Sequence, residues 1–247
     1  MPPAPEPAAG LARQGLARFA VGDFRSAEQA FRGAAEITPQ EPMAWSNLAL
    51  VLIAVGELEQ AILALERSLE LDPSQMLARL NLASALMRVR RPEEAGAACA
   101  AALARDPANA EAWQIRALAH VEAGDYAAAA EAFERTIELT GETSILRLHQ
   151  AAARLQARRF LEASKAAARA LALDPTSTAA FEVSRLCNFL VAAIVGDMDA
   201  ALASYPPDLL ASPADAGRIF RTALAHLEAA GEQAAAKRVS EAWSARR

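Results

Sequence analysis

Six arginines crowd two short stretches of the chain: Arg88, Arg90 and Arg91, then Arg154, Arg158 and Arg159. Guanidinium groups gathered in this way can hold carboxylates or phosphates through paired, charge-assisted hydrogen bonds. The two groups stand two periods apart in the repeat described below. That spacing predicts a split basic edge, interrupted by Asp125, on which Arg90, Arg91, Arg158 and Arg159 face an acidic partner or a lipid headgroup. The plainer reading is that turn arginines are solvated or cap helix carbonyls. The other reactive side chains form no pattern. His120, His149 and His226 make no HExxH and no pair at i, i+4, and Cys99 and Cys187 make no CxxC, so no metal site is expected. His120 falls on an apolar stripe as a core residue, and both cysteines sit at apolar helical positions as small hydrophobes. A glycine-rich phosphate loop, a GxSxG elbow and a Cys–His motif are all absent. The expectation is a non-catalytic protein that needs no cofactor.

Bulk composition narrows the partner. A net charge of −5 and a pI near 5.4 argue against a nucleic-acid backbone. Hydrophobic residues reach 53% while aromatics stay at 5%, the excess being mostly alanine. That suits helices packed closely through small side chains. Lys165 and Lys237 are the only lysines among 25 basic residues, a usage expected of a high-GC bacterial gene. The opening MPPAPEPAAG has no basic residue before Arg13, and Phe189 to Val195 falls far short of the roughly 18 apolar residues of a membrane span. A cytoplasmic protein without membrane insertion is expected.

The elements that carry these residues follow a fixed period. Proline recurs at 39, 73, 107 and 175, with Gly141 in the missing place, so the chain repeats every 34 residues. Ala27, Ala61, Ala95, Ala129 and Ala163 keep the same period, as do Gly15, Ala49, Ala83, Ala117 and Ala151. Such a period marks a helical solenoid. Each repeat splits into two amphipathic helices, joined at turns such as Gly22-Asp23-Phe24 and Gly124-Asp125-Tyr126 and stopped by the terminal proline. No alternating Val, Ile, Thr or Tyr run suggests a strand.

Trp45 and Trp113 in the first helix, a small residue four later, the Gly-Asp-aromatic turn, the second-helix alanine and the closing proline together resemble the tetratricopeptide repeat family. Five repeats lie in phase at 8–41, 42–75, 76–109, 110–143 and 144–177. Arg79 and Arg147 replace the tryptophan, and Arg90-Arg91 and Arg158-Arg159 replace the Gly-acidic turn. The resemblance implies an all-α fold, a right-handed superhelical α-solenoid of helix pairs whose first helices line a concave groove where partner peptides lie.

Reading each first helix at i, i+4, i+7 on its groove side picks out Leu16, Phe19, Leu50, Ile53, Leu80, Met87, Gln114, Leu118, Val121, Leu148 and Leu155, with Asn47 and Asn81 beside the stripe. None is charged. Relatives that clamp acidic tails use lysines there, and this chain has none. An apolar or amphipathic protein segment is therefore the expected guest. An alternative is that part of the stripe is packing between first helices.

Beyond Pro175 the period slips by four. Phe181 to Val195 reads as a long helix, apolar nearly all round, buried within the chain or against a second copy in a homodimer. A turn follows at Gly196-Asp197-Met198, then a break at Tyr205-Pro206-Pro207, a capped start at Ser212-Pro213, and a final helix with a polar outer face. The expected organisation is a disordered leader at 1–7, five regular repeats over 8–177, and two divergent helix pairs with a cap over 178–247. The expected function is a scaffold or adaptor. The alternatives are an assembly or secretion chaperone that shields a hydrophobic segment, or the regulatory repeat domain of an enzyme.

Overall fold

The computed structural model describes residues 6–205, Leu210 and 213–245. The described residues form helices and connecting turns, with no strand among them, and the chain divides into two compact units after Ala123. The first unit holds α1 (Glu6–Ala20), α2 (Phe24–Ile37), α3 (Pro42–Val55), α4 (Leu58–Leu71), α5 (Met76–Arg88), α6 (Pro92–Leu103) and α7 (Ala110–Glu122). The second holds α8 (Tyr126–Thr140), α9 (Ser144–Gln156), α10 (Phe160–Leu173), α11 (Thr178–Val195), α12 (Met198–Ala203), α13 (Pro213–Ala229) and α14 (Gln233–Ser244). Of the leader expected at 1–7, residues 1–5 lie outside the described residues, and α1 starts at Glu6.

The alanine periods mark the helix crossings. In the first unit Ala27, Ala61 and Ala95 are wholly buried, as are Ala49, Ala83 and Ala117. Ala129, Ala151 and Ala163 are equally buried in the second. Gly15 shows the reason: a Cβ built there would sit 2.6 Å from the ring of Phe31, itself fully buried. Helices that cross this closely leave room for a methyl group at most, and at Gly15 for none. Large side chains fill the space between crossings, with Phe31, Leu52 and Leu65 in the first unit and Phe133, Phe189, Leu190, Phe220 and Leu227 in the second. Each such burial contributes about 1.5–3 kcal/mol.

Caps and turns recur with the same period. Asp23, Asp125 and Asp197 each accept a hydrogen bond from the backbone N–H three residues on, which satisfies one of the orphan donors of the following helix. Asp72, Asp106 and Asp174, just past the second helices, accept from the N–H two residues on across the intervening proline. The turn within a pair needs a left-handed residue. Gly56 supplies it with φ 88°, whereas Arg90 and Arg158 adopt φ 63° in the equivalent places.

The divergent end is built around one long helix rather than a regular pair. α11 begins at Thr178, three residues before the expected start, and runs for 18 residues with a mean hydropathy of 1.5. By length and composition alone it therefore meets the requirement for a membrane span, contrary to the sequence expectation. In the fold it packs against α9, α10, α12, α13 and α14. Ala180, Ser184, Arg185, Cys187, Phe189, Leu190 and Ala193 are buried, while Phe181 and Val195 at its ends stay exposed. Phe189 meets Phe220 edge-on at 5.9 Å, and Phe220 stacks on Trp243 at 5.2 Å. Arg238 of α14 donates to the carbonyls of Ala193 at 2.8 Å and Ile194 at 3.0 Å. It thereby pairs the last open carbonyls of α11 with a cation. The break at Pro206-Pro207 and the cap at Ser212 lie outside the described residues. Each unit encloses one free, buried cysteine, Cys99 in the first and Cys187 in the second.

Candidate partner-binding cleft

Three of the expected groove residues meet in one place. Asn47 and Leu50 of α3 and Asn81 of α5 line a cleft of about 370 Å³ within the first unit, shared with Met43, Met76 and Leu77. Its base is tied together through Ser68 of α4. The Ser68 hydroxyl donates to the Pro42 carbonyl at 2.8 Å and lies 2.7 Å from the Ser46 hydroxyl. Ser46 donates to the side-chain Oε1 of Gln75 at 3.0 Å, and the Gln75 side-chain Nε2 donates to the Ser68 hydroxyl at 2.8 Å. The polar groups of the floor are satisfied, so the side chains above them keep a fixed position.

The walls are apolar and open to water. Met43 is 53% exposed and Leu77 75%, while Leu50 is partly covered between them. The Asn47 and Asn81 side chains make no hydrogen bond among the described residues, so each amide remains free to donate and to accept. Large apolar side chains flanking unused amides form a surface that can cover an apolar segment and still pair with its backbone.

Met43 and Leu77 were absent from the sequence stripe. In the second and third repeats the i, i+4, i+7 pattern that contains Leu50 and Leu80 starts at Ser46 and at Leu80, and Met43 and Leu77 stand three residues before those starts, so extending it back one turn finds them.

The other groove residues divide by burial. Leu16 at 48% and Leu118 at 37% are exposed apolar side chains, and Gln114 faces water. Phe19, Ile53, Met87 and Val121 in the first unit and Leu148 in the second are half-buried. Phe19 packs edge-on against Phe24 at 5.4 Å, and Met87 packs on a cluster that includes Ile62 and Leu86. Two expectations are corrected. Leu80 is 4% exposed, enclosed by Ala102, Leu103 and Ala112. Leu155 is 5% exposed in the core around Phe160. The physical cause is that a neighbouring helix packs directly over each of these leucines.

Five of the six arginines at the turns have partners within the protein. In the first unit Arg88 donates to the Ile53 carbonyl at 3.2 Å, Arg90 reaches Glu122 at 3.5 Å, and Arg91 grips Glu94 through two 2.6 Å bonds. In the second, Arg154 binds Glu134 at 3.0 Å and Arg159 lies 4.0 Å from Glu162, while Arg158 is exposed at its turn. His149 lies against Phe133 and His226 against Phe160, and burial lowers the pKa of both. Burial pushes both cysteine thiols up to about 12, so neither is a nucleophile near neutral pH. Among the described residues no group of His, Cys, Asp and Glu is arranged to hold a metal ion.

Comparison with known proteins agrees with the helix-pair fold. Residues 9–145, more than half of the chain, match the family model of the cytochrome c-type biogenesis protein H TPR domain, and residues 116–178 match a tetratricopeptide repeat model. The protein belongs to the tetratricopeptide repeat family. Among solved tetratricopeptide structures, one from Parabacteroides merdae is 16% identical, with 96% of this chain and 100% of that one covered and a TM-score of 0.66. PilF of Pseudomonas aeruginosa is 21% identical over 92% and 98% of the two chains, with a TM-score of 0.57. MamA of Desulfovibrio magneticus RS-1 is 16% identical over 71% and 99%, with a TM-score of 0.66. At these identities the likeness concerns the fold. None of the curated proteins matches the chain.

Proposed function

We propose that the protein is a non-catalytic scaffold that binds an apolar or amphipathic segment of a protein partner in the cleft between α3 and α5. The observation that carries this reading is the pairing of exposed Met43 and Leu77 with the unused amides of Asn47 and Asn81 around one pre-formed cleft. Membership in the tetratricopeptide repeat family supports a protein partner in general. Helices held in place by the Ser46–Ser68–Gln75 network lower the ordering cost on the protein side.

A displayed peptide library tests the reading directly. Peptides selected on the intact protein are expected to carry large apolar residues at helical spacing and to lose binding to a Leu50→Glu/Leu77→Glu variant. Selected peptides that bind this variant as tightly as the original protein would refute the cleft as the site.

A second reading, an assembly chaperone, draws support from the neighbours. PilW is described as a widely conserved type IV pilus biogenesis factor, and the matching family model is named for cytochrome c-type biogenesis. The two readings differ in timing: a chaperone's partner is bound before its assembly and released afterwards, whereas a scaffold retains it.

A further inference from the structure

We propose a second binding site in the divergent end of the chain, a cavity between α11 and α13 that takes an apolar group bearing a carboxylate. The cavity encloses about 500 Å³, within the usual range of roughly 300–1,000 Å³ for ligand sites. Val183 and Leu186 of α11, Ile219 of α13 and the Tyr205 ring supply apolar wall, and Glu182, Arg218 and Thr222 supply polar edges.

The argument for a carboxylate starts at Arg185, a buried cation in the middle of an apolar helix. It is 8% exposed and lies 4.3 Å from the Tyr205 ring and 5.1 Å from that of Phe181. Its Nε donates to the Ser204 carbonyl at 3.1 Å, and Nη1 donates to Glu182 at 3.2 Å. Nη2 is buried with no acceptor. A buried donor left open on a charged group is costly and calls for a partner.

Arg185 stands behind the lining and touches two cavity residues, Glu182 and Tyr205, so the place that Glu182 holds on Nη1 is the one an oxygen from the cavity would take. The carboxylate now paired with Arg185 is the exposed member of its pair. The Glu182 side chain is 62% exposed against 10% for Arg185. Glu182 can turn out to water, while Arg185 cannot follow. An incoming carboxylate therefore takes the place of Glu182 on a guanidinium with donors to spare, and its apolar body covers Val183, Leu186 and Ile219.

Such a group comes from either a fatty acid or the free C-terminus of a peptide ending in a large apolar residue. Calorimetric titration of the full chain with decanoate, decanol, and acetyl-Ala-Ala-Leu as free acid and as amide separates the two. One carboxylate is expected to bind at one site, at least about tenfold more tightly than its neutral counterpart, and the arm that binds names the source. Glu182→Gln removes the competing carboxylate from an exposed position and is expected to tighten binding about threefold or more. Thr222→Trp, on the exposed wall, is expected to abolish binding while circular dichroism stays unchanged. The proposal is overturned if neither carboxylate saturates, if the neutral forms bind equally, or if Glu182→Gln leaves affinity unchanged or weakens it. Binding that survives in a folded Thr222→Trp protein overturns it as well.

Discussion

Trp45 and Arg79, 34 residues apart, make the same hydrogen bond in successive repeats. The Trp45 indole donates to the Pro39 carbonyl at 2.9 Å, and the Arg79 guanidinium donates to the Pro73 carbonyl at 2.6 Å. Trp113 repeats the contact with Pro107 at 2.9 Å. Arginine keeps the donor of the missing indole but leaves its buried Nε without a partner. Arg79→Trp is expected to hold stability level or raise it by up to about 1 kcal/mol, whereas Arg79→Ala lowers it by about 1 kcal/mol through the lost bond. Urea melts of the two variants decide the point.

Two glycines in helices should respond oppositely to alanine. A Cβ at Gly15 strikes the buried Phe31 ring at 2.6 Å, while one at Gly96 meets nothing within 4 Å. Helix propensity favours alanine at both positions by about 1 kcal/mol. At Gly15 the overpacking, about 1–3 kcal/mol, outweighs it. Gly15→Ala should lower the melting midpoint and Gly96→Ala should raise it. A rise in both would mean that the α1–α2 crossing is looser than its geometry indicates.

The left-handed arginines invite the reverse exchange. A non-glycine residue at φ 63° carries a penalty of about 1–2 kcal/mol, offset in part by the greater freedom that glycine loses on folding, about 0.5–1 kcal/mol. Arg158→Gly is expected to stabilise by several tenths of a kcal/mol or more. Arg90→Gly should gain less, since it also gives up the exposed pair with Glu122, itself worth about 0–1 kcal/mol. Equal denaturant midpoints for wild type and Arg158→Gly would show that the turn is not strained.

Acid sensitivity should trace to Glu142. Hydrogen bonds from the Arg169 guanidinium, with Arg147 beside it, lower its pKa from 4.5 to about 2. A depressed carboxylate adds stability that is full above its unfolded pKa, so the contribution fades as pH falls from about 4.5 towards about 2. Urea midpoints measured between those limits should fall more steeply for the wild type than for Glu142→Gln. Parallel slopes would assign the acid limb to other groups.

The parts that sequence revealed well are those governed by steric exclusion. An alanine recurring every 34 residues records a helix crossing because no larger side chain fits there, and that rule needs no knowledge of the neighbouring repeat. Exposure on the groove side does need it. Leu80 and Leu50 occupy similar stripes, yet Leu80 is closed over by Ala112 and its neighbours while Leu50 lines an open cleft. Met43 and Leu77 stand one turn before the stripe begins, so its i, i+4, i+7 spacing does not include them. The function of Arg79 was hidden for a different reason: residue type predicted a departure from the pattern, whereas the geometry of its donor preserved it.

The placement of one sealed thiol in each unit has a practical outcome. Because Cys99 and Cys187 are protected by burial alone, a labelling reagent reaches each only when its own half opens. Two modification rates, read on a single polypeptide by mass spectrometry, would therefore tell whether the halves come apart together or one after the other.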